Sequence, residues 1–405
     1  MADQPYPGLY HFDEQQLMPA EEKLEIPKKG QKINIGIPAN IDKDEQCLPL
    51  TPQAVEMLIN AGHEVMVESG AGLKTRYVDL EYSNAGALIA KSKAEVFQCD
   101  YVLKVAPFTS DEIALLRGNQ VLFSMLQIET QSEANIKALM HKKITSVAFE
   151  YMKDDTGGLP VMQSLSEISG IVAMTVASEL LSNSSGGKGV LFGGVTGISP
   201  AAVIILGADT AAEYAAHAAL GLGAEVKIFD NSVSKLRLFE RKFNQKIFTS
   251  LYYPRVLKKA IQSADVALGA QPFNSVPQYK VPKEMIQKMK KGSIIIDLNA
   301  SQGGCFETTT CTSFSNPTYE REGVIHYCVP NITARVSRTT TISLSNIFAS
   351  IILEIGEIGG ITNFIKNQKG FREGVVVYNG ILTNKDVGNK FNLPAKELDL
   401  LLAAF

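Results

Sequence analysis

Short apolar runs alternate with longer helical patterns between residues 32 and 150. "KINIGIP" and "HEVMVE" are typical of buried strands, and "TPQAVEMLINAG" between them predicts a helix that begins at Thr51-Pro52. "DYVLKVA", "NQVLFSML" and "TSVAFEYM" continue the strands, with the helical pattern "SEANIKALMHKK" between the last two. Strands that alternate with helices of about 10–15 residues favour parallel pairing, so this part of the chain is predicted to be an α/β structure.

A second α/β pattern follows the glycine-rich connection "SNSSGGKGVLFGGVTGISPA" and runs from Val203 to about Cys328. After it, "RTTTISLSNIFASIILEIGEIGG" predicts a long helix that runs back to the first unit. We therefore expect a discontinuous first domain. The predicted division is a tail over 1–31, a first domain over 32–162 and 338–405, and an inserted second domain over 163–337.

Composition and charge exclude several classes of protein. The net charge is −3 and no basic block stands out, which argues against a nucleic-acid or anionic-membrane partner. The polar residues 1–31 predict either an extension or an arm that packs on its own subunit or a neighbour. The most apolar C-terminal run contains Glu354 and Glu357, short of the roughly 20 apolar residues of a membrane span. Five scattered cysteines without a C-x-x-C pair fit a reducing cytoplasm and predict no metal site.

The segment "VIILGADTAAEYAAHAALGLGAEVKIFD" has the layout of a dinucleotide-binding βαβ unit. Its turn should follow the pattern G-x-G-x-x-G but contains "GADTAA" from Gly207 to Ala212. Gly207 retains the tight turn, and alanine at Ala212 is a tolerated variant of the third glycine. Asp230 ends the second strand, where an acid holds the ribose 2′-hydroxyl and favours NAD over NADP. The alternative for Asp230 is a solvated loop acid.

Asp209 replaces the second glycine of the G-x-G-x-x-G pattern, and this is the substitution that most affects the expected dinucleotide binding. Its carboxylate is expected where the pyrophosphate belongs, and it could itself accept the hydrogen bonds of the helix N-terminus. Two like charges ~4 Å apart repel by ~1 kcal/mol in water and ~4 kcal/mol at an effective dielectric of 20. We therefore predict that any NAD binding is weak unless Asp209 turns aside.

Several segments together resemble the alanine dehydrogenase and pyridine-nucleotide transhydrogenase family. They are "LTPQAVEMLINAGHEVMVESGAGL", "DYVLKV", "GGKGVLFGGVTGISPAAVIILG", "NASQGGCFETT", "NPTY" and "GVIHYCVPNITARVSRTTT". The likeness runs from about Lys32 to Gly380 and is closer to the alanine dehydrogenase branch. It implies two doubly wound Rossmann-like α/β domains with a cleft between them, the NAD domain being inserted into the substrate domain. It also implies homo-oligomers, usually hexamers, and reversible oxidative deamination of L-alanine to pyruvate and ammonia.

Three positions match residues to which the family assigns a role. Lys104 in "VLKV" matches the lysine that holds the substrate carboxylate or carbonyl. Asn331 in "VPN" matches an active-site asparagine near nicotinamide and substrate. Glu167 in "SLSEISG" matches the acid beside the cofactor cleft. These matches imply a small amino acid or 2-oxo acid as the substrate.

Three other positions depart from the family. Cys47 stands where the family has an arginine that clamps the substrate carboxylate, and Gln127 where it has a histidine that acts as the acid. Ser301 replaces an aspartate that activates water or ammonia. Glutamine cannot cycle a proton at neutral pH, and cysteine cannot supply the charged fork of arginine. A reactive thiol at Cys47 is the alternative, but no basic neighbour in sequence favours it.

Two hypotheses of different classes follow from these departures. The first is an NAD-linked, alanine dehydrogenase-like oxidoreductase with altered or much reduced activity. The second is a non-catalytic relative that acts as a regulatory or assembly subunit. A soluble subunit of a proton-pumping transhydrogenase is a weaker third. The histidines do not fall at the family's catalytic position and are expected to be structural or solvated: His11, His63, His141, His217 and His326.

Overall fold

The computed structural model describes residues 30–40, 44–272 and 277–404. The expectation for the N-terminal tail falls on residues 1–31, of which 1–29 lie outside the described residues. Gln31 is described, and its backbone N–H donates to the carbonyl of Gly356.

Within the described residues, eight strands form the first sheet, in the order β15-β14-β6-β5-β4-β1-β2-β3. Its strands β1 to β6 pair in parallel, whereas β14 and β15 add an antiparallel edge. The chain leaves β1 on one side for β2 and β3 and returns on the other side with β4, so the strand order reverses between β1 and β4. The strands are β1 (Asn34–Ile37), β2 (Glu64–Glu68), β3 (Leu88–Ala90), β4 (Tyr101–Leu103), β5 (Val121–Ser124), β6 (Thr145–Ala148), β14 (Val375–Tyr378) and β15 (Ile381–Leu382).

The helices between these strands begin where the sequence provides caps. Helix α1 has Pro52 in its first turn, and the hydroxyl of Thr51 accepts the N–H of Ala54, so the predicted start is confirmed. Thr109 and Glu112 form a capping box at the start of α4. These helices are α1 (Pro52–Asn60), α2 (Asp79–Asn84), α3 (Lys93–Val96), α4 (Ser110–Leu115) and α5 (Glu133–His141).

The second sheet contains seven described strands in the order β12-β13-β11-β10-β7-β8-β9. All neighbours pair in parallel except the edge pair β12 and β13. The five residues of β7, "AVIIL", are all buried, as expected for a parallel strand covered on both faces. The strand order reverses between β7 and β10. The strands are β7 (Ala202–Leu206), β8 (Glu225–Phe229), β9 (Phe248–Ser250), β10 (Val266–Gly269), β11 (Ile294–Asp297), β12 (Thr318–Arg321) and β13 (Val324–Tyr327).

Helices cover both faces of this sheet. Helix α6 lies against α7, and a Cβ added to Gly170 would come within 2.3 Å of the carbonyl oxygen of Ala211, so the two helices touch through backbone. This contact explains a small residue at Gly170. The helices are α6 (Pro160–Leu180), α7 (Thr210–Gly221), α8 (Val233–Glu240), α9 (Pro254–Ser263) and α10 (Lys283–Ile286).

The long C-terminal helix α11 (Ser337–Glu357) returns to the first sheet. Its buried Leu344, Phe348 and Ile352 belong to the same apolar cluster as Ile35 of β1 and Val55 of α1. By length and composition alone, residues 332–357 could cross a membrane, although half of the tested window is buried within the protein. The chain ends with α12 (Ile361–Asn367), α13 (Lys369–Arg372), α14 (Lys385–Phe391) and α15 (Leu398–Ala404).

The α/β fold class with two Rossmann-like units is confirmed. Strands β1 to β6 of the first sheet precede the second sheet in the sequence, and β14 and β15 follow it. This order supports a discontinuous first domain. The boundaries at 162, 163, 337 and 338 stay a prediction.

Candidate functional site

The loop after β1 of the first sheet contacts the second unit across the gap between the two sheets. Glu45, in the loop after β1, accepts a hydrogen bond from the Asn331 side chain (Nδ2 to Oε2, 2.7 Å), and Asn331 lies beyond β13. The backbone N–H of Phe314 donates to the carboxylate of Asp44 across the same gap (3.1 Å). Ligands of doubly wound sheets bind outside the carboxyl ends of the strands, where the strand order reverses. These two contacts therefore place the loop after β1 against the second unit at the expected ligand crevice.

Gly207 forms the tight turn after β7. Its φ is +117°, a backbone conformation that L side chains rarely adopt. A Cβ at this position would also lie 2.2 Å from the carbonyl oxygen of Ala270, which follows β10. The turn thus passes directly against the neighbouring strand end at the point where the strand order reverses. Only glycine fits there.

Replacement of Gly207 by alanine should lower the free energy of unfolding by about 2 kcal/mol, since backbone strain of this kind costs about 1–3 kcal/mol. Gly221→Ala is the matched control, because Gly221 ends α7, has open space around its Cα and should gain stability from alanine. Urea unfolding of both variants measures the difference. If the two variants were equally stable, the backbone of the turn would be able to accommodate a Cβ at Gly207 without strain.

Asp230 ends β8 beside this turn and is 4% exposed. Its Oδ2 accepts the N–H of Ala208 (3.1 Å) and its Oδ1 accepts the N–H of Ser232 (2.8 Å). The alternative of a solvated loop acid is therefore wrong. The carboxylate links the glycine turn to the turn after β8, which is where an acid would meet a ribose hydroxyl.

Asp209 precedes the first residue of α7, but its side chain makes no capping hydrogen bond. Both carboxylate oxygens instead accept hydrogen bonds from Nζ of Lys235 on α8, each at 2.7 Å. The expectation that Asp209 itself accepts the helix N-terminal hydrogen bonds is thus wrong, because a nearby ammonium competes for the carboxylate. The ion pair also removes much of the repulsion expected between Asp209 and a phosphate, since Lys235 neutralises the charge.

Ala212 and Glu167 lie on the helices that flank the turn. Ala212 is fully buried in the core of the second unit, where a larger residue would separate α7 from its neighbours. Glu167 on α6 interacts with the hydroxyl of Tyr214 on α7; partial burial and this carboxylate raise the pKa of Tyr214. Glu167 thus lies at the contact between α6 and α7, the helix that follows the glycine turn.

Lys104 follows β4 and forms a buried ion pair. Its Nζ donates to Oε2 of Glu112 (2.6 Å) and to the carbonyl of Pro107 (3.1 Å), and the two charged side chains are 3% and 1% exposed. Burial alone would raise the pKa of Glu112, but the Lys104 ammonium, with smaller help from Lys93 and the Thr109 N–H, lowers it. Lys104 is therefore held in a fixed orientation by Pro107 and Glu112.

Cys47 follows β1 and is 1% exposed. Its backbone N–H donates to Oε1 of Glu45 (2.7 Å), and its carbonyl accepts from the Asn40 side chain. Burial and, to a lesser extent, the Glu45 carboxylate raise the pKa of the Cys47 thiol well above its usual range. The thiol is protonated at neutral pH, so this position supplies neither a nucleophile nor a cation.

Gln127 and Ser301 are both exposed at strand ends. Gln127, after β5, has a left-handed backbone (φ 44°), and its N–H donates to the buried carboxylate of Glu150 (3.0 Å). Burial raises the pKa of Glu150 to about 7, although backbone N–H groups oppose this shift. Ser301 lies in a short helical turn over Ala300–Gln302, after β11. Neither side chain is a proton-cycling group at neutral pH.

The structure brings the predicted residues together as two clusters. In the first cluster, the Asn331 side chain donates to Glu45, which also accepts the backbone N–H of Cys47. In the second cluster, Gly207 and Asp209 belong to the turn after β7, and the Asp230 carboxylate accepts a hydrogen bond from this turn. Lys104 and Gln127 share the carboxyl edge of the first sheet with Cys47, and Ser301 lies at the corresponding edge of the second. Within residues 30–40, 44–272 and 277–404, no group of three or more histidine, cysteine or acidic side chains could hold a metal ion.

Sequence reasoning did not single out Lys235, Glu45 or Glu112. The capping box Thr109-x-x-Glu112 is visible in the sequence, but it indicates a helix start rather than an ion partner. Three histidines in the described part of the chain have structural contacts, namely His63, His217 and His326, whereas His141 is exposed. His326 is buried against Thr308, and burial lowers its pKa to about 4, while His217 stacks on Phe243.

Two facing doubly wound sheets with a glycine turn and a strand-end acid define a two-domain α/β protein of the dinucleotide-binding class. The family models for alanine dehydrogenase/PNT match residues 36–169 (N-terminal domain) and 173–385 (C-terminal domain). The chain belongs to this family, which confirms the resemblance.

Curated relatives agree with this assignment. The chain is similar to the alanine dehydrogenase of Methanococcus maripaludis, with 36% identity over 366 residues, 89% of this chain and 97% of the relative. It is 34% identical to that of Staphylococcus epidermidis over 368 residues, 89% and 97% of the two chains.

Solved structures give the same result for the fold. An L-alanine dehydrogenase superposes with a TM-score of 0.82 at 31% identity, covering 89% of this chain and 99% of that one. A transhydrogenase from Sinorhizobium meliloti gives 0.72 at 21% identity, covering 87% and 99%. The latter likeness concerns the fold alone.

Proposed function

We propose that this chain is an NAD-linked, alanine dehydrogenase-like oxidoreductase whose activity on L-alanine is altered or much reduced. The observation that carries the proposal is Asp230, buried at the end of β8 and bonded to the N–H beside Gly207. Relatives named alanine dehydrogenase support the reaction class, oxidative deamination of an amino acid or its reverse from a 2-oxo acid.

The residues around Gly207 fit the pyrophosphate and ribose of NAD. Gly207 lets the turn pass directly against the end of β10, and Asp209 leaves the N-terminal N–H groups of α7 uncapped. A helix of this length has a positive N-terminal end that favours an anion. Asp230 favours the free 2′-hydroxyl of NAD over the phosphate of NADP.

The residues of the first unit would orient a small substrate. NAD, when bound, accepts or supplies a hydride. Lys104, held by Glu112, presents a fixed ammonium at the end of β4, suited to a carboxylate or carbonyl oxygen. The Asn331 amide donates to Glu45, which fixes its orientation in the cleft. The Gln127 amide can donate a hydrogen bond to a carbonyl but cannot take up the proton of an amine.

The second candidate function is a non-catalytic regulatory or assembly subunit. The observation that favours it is the buried, neutral Cys47 at the position of the family's carboxylate clamp. An assay with purified protein separates the two candidates: a panel of amino acids with NAD, and of 2-oxo acids with ammonia and NADH. Saturable turnover of any member supports the enzyme, and its absence over the whole panel supports the subunit.

Assembly into homo-oligomers, hexamers by resemblance, and a cytoplasmic location belong to the same proposal. The glycine-rich connection exposes Leu191, Val195 and Ile198, each more than half accessible. Apolar side chains grouped in this way are typical of a protein–protein contact. A second copy of the chain is the partner we propose, and light scattering gives its stoichiometry.

Asp209→Gly should tighten NADH binding by roughly tenfold, because it removes a carboxylate beside the turn and leaves the Lys235 ammonium free to attract a phosphate. Lys235→Met should weaken binding severalfold, since Asp209 would then face the ligand without its neutralising partner. Glu213→Gln is the matched control, as it removes an acid from the same helical turn that is paired with Lys242. Calorimetric titration of the three variants with NADH measures the effects. An Asp209→Gly protein that binds no better than the parent would show that Asp209 is no obstacle.

A further inference from the structure

One face of helix α9 in the second unit is basic. The helix has the sequence "PRVLKKAIQS", buries three apolar residues in the core and contains no acid. Its exposed side carries Arg255, Lys258 and Lys259. Because residues three and four apart lie together on one face of a helix, these cations form a continuous stripe.

An open groove runs beside this stripe. It is lined by Arg255 and Lys259 and by two apolar side chains, Phe248 of β9 and Val256 of α9, which are 45% and 36% exposed. The groove has a volume of about 720 Å³, within the roughly 300–1,000 Å³ of sites that hold small molecules. Exposed apolar side chains beside cations suit a ligand that has both an apolar and an anionic part.

A fourth cation joins the stripe from the neighbouring helix. Helices α9 and α10 pack together, and Lys288 follows α10 by two residues. The ammonium of Lys258 lies beside that of Lys288 and lowers the pKa of Lys288. An anion that contacts both ammonium groups would relieve their mutual repulsion.

These four cations differ from the lysines around them in having no ion-pair partner. Lys227 is paired with Glu225 and Lys290 with Asp265, each at 2.9 Å. None of the four forms an ion pair with a carboxylate in the part of the chain that the structure describes. Several unpaired cations in one place favour a ligand with several negative charges, and ammonium and guanidinium groups are good donors to phosphate oxygens.

We propose that Arg255, Lys258, Lys259 and Lys288 bind the oligophosphate group of a small molecule, and that Phe248 contacts the base where the molecule is a nucleotide. This site goes beyond the proposed NAD function, because it includes neither the glycine turn nor the contacts across the gap between the two sheets. A nucleoside triphosphate and inorganic triphosphate share the required chemistry. Only the nucleotide has a base that can stack on an aromatic ring.

Calorimetric titration with sodium tripolyphosphate and with ATP tests the site. Both ligands should bind the parent protein, and both affinities should fall as the salt concentration rises. The double variant Lys258→Gln with Lys288→Gln should weaken both ligands by about tenfold, because two unit charges are lost beside a polyvalent anion. Phe248→Ala should weaken ATP severalfold and leave tripolyphosphate unchanged. An unchanged ATP affinity in Phe248→Ala would overturn the role of Phe248.

Lys91→Gln with Lys369→Gln is the matched control, because it removes the same charge from exposed positions of the first unit and should change neither affinity. Acetylation by an amine-directed reagent, followed by mass spectrometry, gives a second readout on the parent protein. Tripolyphosphate should protect Lys258 and Lys288 from the reagent and leave Lys91 reactive.

Three results would each overturn the site. They are failure of tripolyphosphate to bind the parent, equal affinity for it in the double variant and the control, and unprotected Lys258 and Lys288. The affinity for NADH should be the same in the double variant as in the parent. Failure of this site is therefore distinguishable from failure of the proposed NAD function.

Discussion

Purified protein should deaminate L-alanine with NAD at least about a thousandfold more slowly than an ordinary family member. Loss of a general acid–base group alone costs about 10²–10⁴-fold. Loss of the charged residue that binds the substrate carboxylate lowers the rate further, although the effects of groups that act together are not additive. Gln127, Ser301 and Cys47 stand at the three positions concerned, and none of them carries a charge or a usable proton at neutral pH.

The assay uses L-alanine and NAD at alkaline pH, and pyruvate, ammonia and NADH in reverse. Turnover in the usual range of dehydrogenases, roughly 1–10³ per second, would contradict the prediction. The combined variant Cys47→Arg, Gln127→His and Ser301→Asp should recover activity over the parent if the three substitutions cause the deficit. Gln98→His, at an exposed position two residues after α3, is the control for an added imidazole.

Glu112→Gln should lower the free energy of unfolding at pH 7 by about 3–5 kcal/mol, because it leaves the Lys104 ammonium buried without its carboxylate. The double variant Lys104→Met with Glu112→Leu should lose much less, since no uncompensated charge remains. Urea unfolding gives these values. The exposed pair of Glu133 and Lys137 is the control, and Glu133→Gln should cost no more than about 1 kcal/mol. If Glu112→Gln lowered the free energy of unfolding by no more than Glu133→Gln does, the predicted effect of the buried pair would be contradicted.

The same pair predicts a dependence of stability on pH. The pKa of Glu112 is lower in the folded protein than its usual value of 4.5. The stabilisation is therefore fully present above that value and is lost as the pH falls through the lower, folded pKa. The difference in unfolding free energy between the parent and Glu112→Gln should shrink below pH 4.5.

The predicted elements that proved accurate rest on local patterns. Thr51-Pro52 begins α1 because a hydroxyl cap and a proline in the first turn act over a few residues. The glycine turn at Gly207 and the acid at Asp230 follow from the βαβ pattern, which has a fixed length. The alternation of strands and helices likewise predicted two α/β units.

The contacts that sequence reasoning missed join distant parts of the chain. Glu45 and Asn331 are 286 residues apart, and Lys235 reaches Asp209 only because β8 and α8 bring it back to the glycine turn. Composition gives no hint of which cation will pair with which acid.

Calorimetric titration of the parent protein with NADH and with NADPH tests directly whether the chain binds NAD and discriminates against NADP. We expect saturable binding of NADH at one site per chain, with binding of NADPH at least about tenfold weaker, since Asp230 repels a 2′-phosphate. Asp230→Asn should reduce this preference. Failure of NADH to bind at any concentration that the protein tolerates, or binding of NADPH as tight as that of NADH, would contradict the account.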